Sequence, residues 1–473
     1  MSVPDDNPGL LARAALRLTA LSERWVPDAF VFALAGTVIV VLAGALVSRN
    51  VVTVVTSWGD GFWGLLPFTL QMAMVIITGA VLAAAPPVLR LVRALASLPH
   101  TPRQAVALVT VFALGSAWIN WGFSLIFSAV LAREVARRVD ADYRALAAAS
   151  LLGLGSVWAQ GLSGSAALQM ATPGLLQPAT REVIAQGGLV AGGLVPLTHT
   201  IFLWQSLCAV AVEVVVVTAV MVAVTPPPAR TRTARDLGVD LAAPDPANDN
   251  PIDNRPGAFL ERSRLLTLLV VALGGGYLVL HFVKAPDNHR LAAITLDTVN
   301  LFFLLVGALL HGTPARLARA VREATPAVWA VLLQFPFYAG IAGVITGTHL
   351  NEHLAQLFVR VASPTTLPAA VALYSTALGV FVPSGGSKWV IEAPYVMAAA
   401  HQLRVHLGWM VAVYDLGEAL ANLVQPFWML PSLALLGLKA RDVMGYTFVV
   451  FLALLPIVLI LVTLLGATLA YPL

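Results

Sequence analysis

A single cysteine, Cys208, stands in 473 residues. No disulfide can form within the chain, and a thiolate metal site has too few ligands. The neighbours of Cys208 are apolar, so it reads as a small core residue. Charge is scarce as well. Asp, Glu, Lys and Arg make up 11% of the chain, against roughly 25% in soluble domains. The net charge of +4 is small, which argues against a nucleic-acid partner. A secretory signal is not visible, because Asp5, Asp6, Arg13 and Arg17 all precede the first apolar run. The apolar runs, such as 30–47 and 446–464, are long and unbroken. They lack the ~10-residue alternation of a membrane β-barrel.

What is present is apolar: 59% of the residues are hydrophobic. A soluble fold of this length could not hide that surface. The fold class is therefore an all-α polytopic membrane protein, and its surroundings are membrane lipid. Basic residues set the orientation, since Lys and Arg stay on the cytoplasmic side. Arg13, Arg17 and Arg24 place a cytoplasmic N-terminus at 1–25. A first transmembrane repeat is expected over 26–225. A disordered cytoplasmic linker, rich in Pro, Asp and Asn, is expected over 226–262. An additional span and a second repeat are expected over 263–473. This model has about nine full spans plus two hairpins. It places Arg49, Arg181, Lys284, Arg290, Arg360 and Arg404 outside, and Lys388 at membrane depth.

The first hairpin follows from a count. Residues 104–132 carry no charge, and arginines flank them on both sides, at Arg103 and at Arg133, Arg137 and Arg138. Two spans would need about 40 apolar residues, and one would carry the second arginine cluster outside. A re-entrant helical hairpin of two half-helices meeting at WINWGFS (118–124) satisfies both constraints; a single tilted helix that breaks the charge rule is the alternative. The halves also overlay. Leu70-Gln71 matches Leu333-Gln334, Ala113-Leu114-Gly115 matches Ala377-Leu378-Gly379, and Leu152-Gly153 matches Leu416-Gly417. Each match is cheap in a chain rich in Ala, Leu and Gly, and chance remains open. The steady offset places WINWGFS on VPSGGSK (382–388), in a second hairpin over about 361–403. It also places QGLSGS (160–165) on VQPFWM (424–429). Span 2 and its partner run in opposite directions, so the repeats are inverted: hairpin 1 opens inward and hairpin 2 outward. Each repeat then holds one re-entrant hairpin and one broken transmembrane helix, a signature of secondary transporters.

Broken helices at membrane depth supply amides for an anion and carbonyl or side-chain oxygens for a cation. The substrate-binding candidates are Asn120, Gly122 and Ser124 in hairpin 1, and Ser163, Gly164 and Ser165 in the first broken span. In the second half they are Ser384, Gly385, Gly386, Ser387 and Lys388, with Asn422 and Gln425 in the second broken span. Small residues of this kind also pack helices, which is the bland reading of each. Gln160, Thr172, Glu392 and Glu418 are the candidates for ion or proton coupling. Lys388 and Glu392, four apart, either contact ligand or pair with each other, in the weaker Lys-then-Glu order. Asp415 reads as lying toward the outer end of its span, and Glu213 as a buried carboxylate with no partner evident in the sequence. Trp118, Trp121, Trp389 and Trp428 crowd the interruptions and either wall a pocket or pack. No nucleophile–base pair or metal cluster is evident, so no enzyme and no cofactor is expected.

Several long strings sharpen this reading: ERWVPDAFVFA (23–33), WGDGFWGLL (58–66), INWGF with LAREVARRV (119–139), SGSAALQMATPG (163–174), TVNLFF (298–303), LLQFPFYAGI (332–341), VPSGGSKWVIEAP (382–394) and QPFWMLP (425–431). With them the chain resembles the AtoE-type short-chain fatty acid transporter family, of the ion transporter superfamily. The similarity covers almost the whole chain except 226–258 and the extreme termini. It implies uptake of short-chain carboxylates such as acetoacetate or butyrate across a bacterial inner membrane, by a homodimer with an elevator-like scaffold; a co-transported Na+ or H+ is expected because an uncompensated anion at the midplane is costly. Where Lys388 stands, the family can carry a histidine, so a fixed lysine charge is not implied.

Overall fold

The computed structural model describes residues 10–25, 29–64, 66–171, 176, 178–185, 188, 190–241, 255, 257–284, 296–350, 362–382 and 385–473. Among the described residues all regular structure is helical. The chain opens with α1 (Leu10–Trp25), α2 (Ala29–Ser48), α3 (Val51–Phe62), α4 (Leu66–Ala84) and α5 (Pro86–Ala96). Next come α6 (Pro102–Ile119), α7 (Trp121–Ala136), α8 (Tyr143–Leu151), a 3-10 turn at Trp158–Gln160, α9 (Ser165–Ala171), α10 (Pro178–Ala185) and α11 (Trp204–Val224). α12 (Ala258–Glu261), α13 (Arg264–Lys284), α14 (Leu296–His311), α15 (Pro314–Ala324) and α16 (Trp329–Gly347) follow. The chain closes with α17 (Leu367–Gly379), α18 (Gly385–Gln402), α19 (Leu407–Ala421), a 3-10 turn at Phe427–Met429, α20 (Leu430–Leu436) and α21 (Ala440–Gly466).

Local chemistry sets the ends of these helices. Thr101 caps α6, its hydroxyl accepting from the Gln104 amide, and Pro102 follows in the first turn. Thr313 and Pro314 start α15 in the same way. Such a side-chain cap satisfies one of the first-turn amides that have no intrahelical acceptor. Gly437, at φ +69°, ends α20 in a left-handed conformation that suits glycine.

Among the described residues four helices are long and apolar enough to cross a membrane: α6, α11, α13 and α21. A bent pair, residues 69–84 with 86–96, counts as a fifth if read as one span; it turns by 81° where Pro86 and Pro87 interrupt the helix. α13 buries only Thr267 and Leu278. Its exposed row of Leu and Val has no counterpart on a protein surface facing water, and suits contact with lipid. α16 packs against α3 and α2. The crossing with α3 is tight, since a Cβ on Gly61 would lie 2.8 Å from the Gly343 Cα.

α6 and α7 fold back on one another at a one-residue break, Asn120, which is extended. The Ser124 hydroxyl donates to the Ala113 carbonyl at 2.8 Å across the pair. The arms differ from the expected half-helices. At ~1.5 Å per residue they reach about 27 and 24 Å, for 18 and 16 residues. α17 and α18 fold back likewise, with the Lys388 ammonium donating to the Ser375 carbonyl at 2.6 Å. One succession of elements thus occurs twice: a folded-back pair, a buried helix (α8 or α19), a 3-10 turn and a short helix (α9 or α20). Gly153 and Gly417, matched in the sequence overlay, each make a close contact with a preceding helix, although the carbonyls they meet are five residues out of register with that overlay. Each lets its segment press on a backbone carbonyl of the preceding pair's first arm, Ala113 and Ala372 respectively.

Residues 226–241, assigned by composition to a disordered linker, instead lie fixed on the helical body. Asp142 Oδ2 accepts from the Arg232 amide at 3.1 Å, and the Tyr143 amide donates to the Arg232 carbonyl at 2.9 Å. Arg133 donates to the Asp240 carbonyl at 3.0 Å, and the Arg137 guanidinium donates to the Leu241 carbonyl. A polar segment needs no core of its own when arginines at the end of α7 take up its carbonyls.

Candidate functional site

The loop at 158–165 lies between the tips of the two folded-back pairs. Glycines bring it there. A Cβ on Gly161 would strike the Trp118 backbone, and one on Gly164 would strike the Ala159 carbonyl. Toward the first tip, the Leu162 amide donates to the Trp118 carbonyl at 2.8 Å, and the Trp121 amide donates to Ser163 Oγ at 3.0 Å. Toward the second tip, Gln169 donates to the Gly386 carbonyl at 3.1 Å. A Cβ on Gly386 would lie 3.2 Å from that of Ser165, and one on Gly385 would lie 3.0 Å from the Trp158 ring. The sequence candidates Ser163, Gly164, Ser165, Gly385 and Gly386 therefore converge, from segments more than 200 residues apart.

Other candidates are engaged within the fold. Asn120 caps α7, its Oδ1 accepting from the Phe123 amide at 2.8 Å, and Gly122 is buried beside it. Ser124 clamps the arms of the first pair. Asn422 donates to the Leu154 carbonyl at 2.9 Å; Gln425 donates to Asn422 at 3.0 Å and accepts from the Phe427 amide at 2.7 Å. These two amides brace the second break against the first. Thr172 and Ser384 lie outside the described residues, and Ser387 is placed as backbone in the first turn of α18.

Behind the second tip sits a charged cluster. Lys388 is fully buried and ion-paired with Glu418 of α19. Glu392, one turn on, is at 3.8 Å, and the Tyr414 ring centre at 4.9 Å. Glu392 also accepts from the Ser375 hydroxyl at 2.9 Å, and Tyr414 donates to the Gly385 carbonyl at 2.5 Å. The expected Lys388–Glu392 neighbour pair is thus the looser of two. Asp415, expected toward the outer end of its span and facing solvent or the interface, is instead buried, 1% exposed. One ammonium faces two buried carboxylates, Glu392 and Glu418, and removing such charges from water is costly unless they are paired. A Cβ on Gly379 would lie 3.3 Å from the Lys388 ammonium, so a small residue is needed where the arm passes the cluster.

Aromatic rings close the space between the breaks. Trp121 lies 5.2 Å from Trp428 and 6.2 Å from Trp158, centre to centre. Trp389 packs on Tyr414 at 4.5 Å. The buried indole N–H groups of Trp118, Trp158 and Trp389 have no acceptor among the described residues. Glu213, without an evident partner in the sequence, is bonded by Gln160 at 2.7 Å. No sequence signal joined those two residues or joined Lys388 to Glu418, because each pair forms across the fold.

The arrangement can present amides and indole N–H groups to a small anion, beside an apolar wall and a buried cation. The model of the short chain fatty acid transporter family matches residues 10–465 of the chain. The chain belongs to the short-chain fatty acid transporter family. A relative in Escherichia coli (strain K12) is 39% identical over 439 residues, spanning 92% of this chain and 96% of the relative. Another, in Haemophilus influenzae, is 34% identical over 455 residues, spanning 95% and 99%. Both carry the name of short-chain fatty acid transporter, as a provisional one. Among solved structures, the Alcanivorax borkumensis YdaH transporter is 13% identical, covers 92% of this chain and 98% of its own, and has a TM-score of 0.45. Neisseria gonorrhoeae MtrF is 15% identical, covers 97% and 98%, and has a TM-score of 0.42. At those scores the likeness supports no inference about mechanism. As a member of the short-chain fatty acid transporter family, the protein is a multi-pass membrane transporter rather than an enzyme, and its substrate class is a small carboxylate.

Proposed function

We propose that this transporter moves short-chain monocarboxylates of the acetoacetate and butyrate type across the bacterial inner membrane in symport with Na+ or H+. The loop at 158–165, held between the two tips, is the observation that carries this reading. The substrate carboxylate takes N–H groups there, from first-turn amides of α18, which have no intrahelical acceptor, and from the Trp158 indole. Its short acyl chain lies on Trp121, Trp158 and Trp428. Lys388 favours an anion by its charge, from behind the tip. It already faces two carboxylates, Glu392 and Glu418, which supports a singly charged substrate over a doubly charged one. A co-transported cation offsets the substrate charge at membrane depth, where an uncompensated anion is costly.

Access alternates as the two halves, read as inverted repeats, exchange which tip admits ligand. The α6–α7 tip serves the cytoplasmic side and the α17–α18 tip the outside, with the N-terminus cytoplasmic and two copies sharing a fixed frame. The test is uptake of labelled acetoacetate, butyrate and succinate into proteoliposomes under imposed Na+ or H+ gradients. Saturable, gradient-driven uptake of the monocarboxylates is expected. Preference for succinate, or uptake that never saturates, would overturn the reading.

A further inference from the structure

Glu213 is the tenth residue of α11, a 21-residue apolar helix long enough to cross the membrane. It is wholly buried, and among the described residues it forms no ion pair. An ionisable group at that depth is expensive and calls for a function. Among the described residues its hydrogen-bond partner is the Gln160 amide, 2.7 Å from Oε2. Two acceptors are then left over. Glu213 Oε1 and Gln160 Oε1 are both buried and have no partner among the described residues. Orphaned buried acceptors are costly. A single proton removes both at once. Placed on Glu213 Oε1, it would make that oxygen a donor, and the Gln160 carbonyl oxygen, on the amide already bonded to the same carboxyl, is the unpartnered acceptor that would complete a cyclic acid–amide pair. A metal cation needs more oxygens than these two, about six for a hard ion.

We propose that Glu213 and Gln160 form a proton-binding site that couples transport to the proton gradient. The proposal rests on the transport reading above and assigns its coupling ion. Gln160 is the device that links the two sites. The residues after it hold the tip loop: Gly161 against Trp118, Leu162 on the Trp118 carbonyl and Ser163 on the Trp121 amide. When Glu213 loses its proton, the Gln160 oxygen loses its donor, and the loop that receives the carboxylate is tied to α11 by one hydrogen bond instead of two. No other ionisable side chain occurs between Trp158 and Gly164. α11 packs against α6, α21 and α1. Their ionisable residues are Arg103 at the start of α6, Arg441, Asp442 and Tyr446 in α21, and Arg13, Arg17, Glu23 and Arg24 in α1. The charged ones of α6 and α21 stand in the first turn of each helix.

The test uses the full chain in liposomes, wild type and Glu213→Gln, with protein-free vesicles as the control for permeation of undissociated acid. Two readouts are taken: exchange of labelled butyrate at equal concentrations, and accumulation driven by an inside-alkaline gradient. The amide mimics the protonated acid, so exchange is expected to persist while accumulation falls by more than about tenfold. Accumulation equal to wild type would overturn the proposal. So would a monodisperse variant that has lost exchange and accumulation together, since that marks a structural role. Wild-type accumulation that follows a Na+ gradient at uniform pH would overturn it as well. Wild-type protein that exchanges no carboxylate would sink the transport reading and this one with it.

Discussion

Lys388 of α18 and Glu418 of α19 form an ion pair that water does not reach. They are thirty residues apart, and the pair exists only because α17 and α18 fold back and α19 packs across them. Breaking such a pair on one side leaves the other charge buried and alone, at a cost of roughly 3–5 kcal/mol.

Lys388→Met is therefore expected to lower thermal stability in detergent strongly. The double variant Lys388→Met/Glu418→Gln is expected to recover part of the loss, because Glu418 is then uncharged while buried Glu392 keeps, among the described residues, only its bond from Ser375. A melting temperature for the single variant equal to wild type would contradict a fully buried pair.

Ser163→Ala removes the acceptor of the Trp121 amide at the first tip. An orphaned buried donor costs about 1–3 kcal/mol. Uptake should fall several-fold while membrane insertion stays normal. Uptake and insertion are measured in the same vesicles, and unchanged uptake would show that the tip does not need this bond.

Gly161→Ala and Gly275→Ala make a contrasting pair. The first places a methyl on the Trp118 backbone, whereas the second meets nothing within 4 Å on exposed α13. Gly161→Ala is expected to abolish uptake. Gly275→Ala should leave it unchanged, with stability slightly raised by the better helix former. Equal effects from the two would deny the close approach of loop and tip.

Asn120 caps α7 at the first tip. A cysteine placed there, in a chain with Cys208 replaced by serine, should be labelled by thiol reagents added from the cytoplasmic side. Labelling from the outside alone would reject an inward-opening first hairpin.

The sequence made one half of each contact legible. Long apolar runs named an all-helical membrane protein, because hydrocarbon satisfies no backbone group and the helix satisfies its own. The uncharged stretch between two arginine clusters marked the fold-back at 118–124, and the glycine and serine cluster at 160–165 marked the loop there, because those residue types are costly in a helix that has no use for them. Gln160 was singled out by its place beside a break. The other half was not legible. Nothing local to Glu213 names Gln160, and nothing local to Asp415 says that it is buried. The i,i+4 rule pointed from Lys388 to Glu392, yet the closer carboxylate is Glu418.

By itself, then, the sequence determined the medium, the helical class, the family resemblance and the positions of the breaks. Each of these follows from composition and spacing along one stretch of chain. Only the tertiary structure decided which breaks meet, which buried charges pair, and that residues 226–241 lie fixed across the arginines of α7. Such choices depend on side chains far apart in sequence competing for the same buried partners. Close packing brings those side chains together, and no local pattern records it.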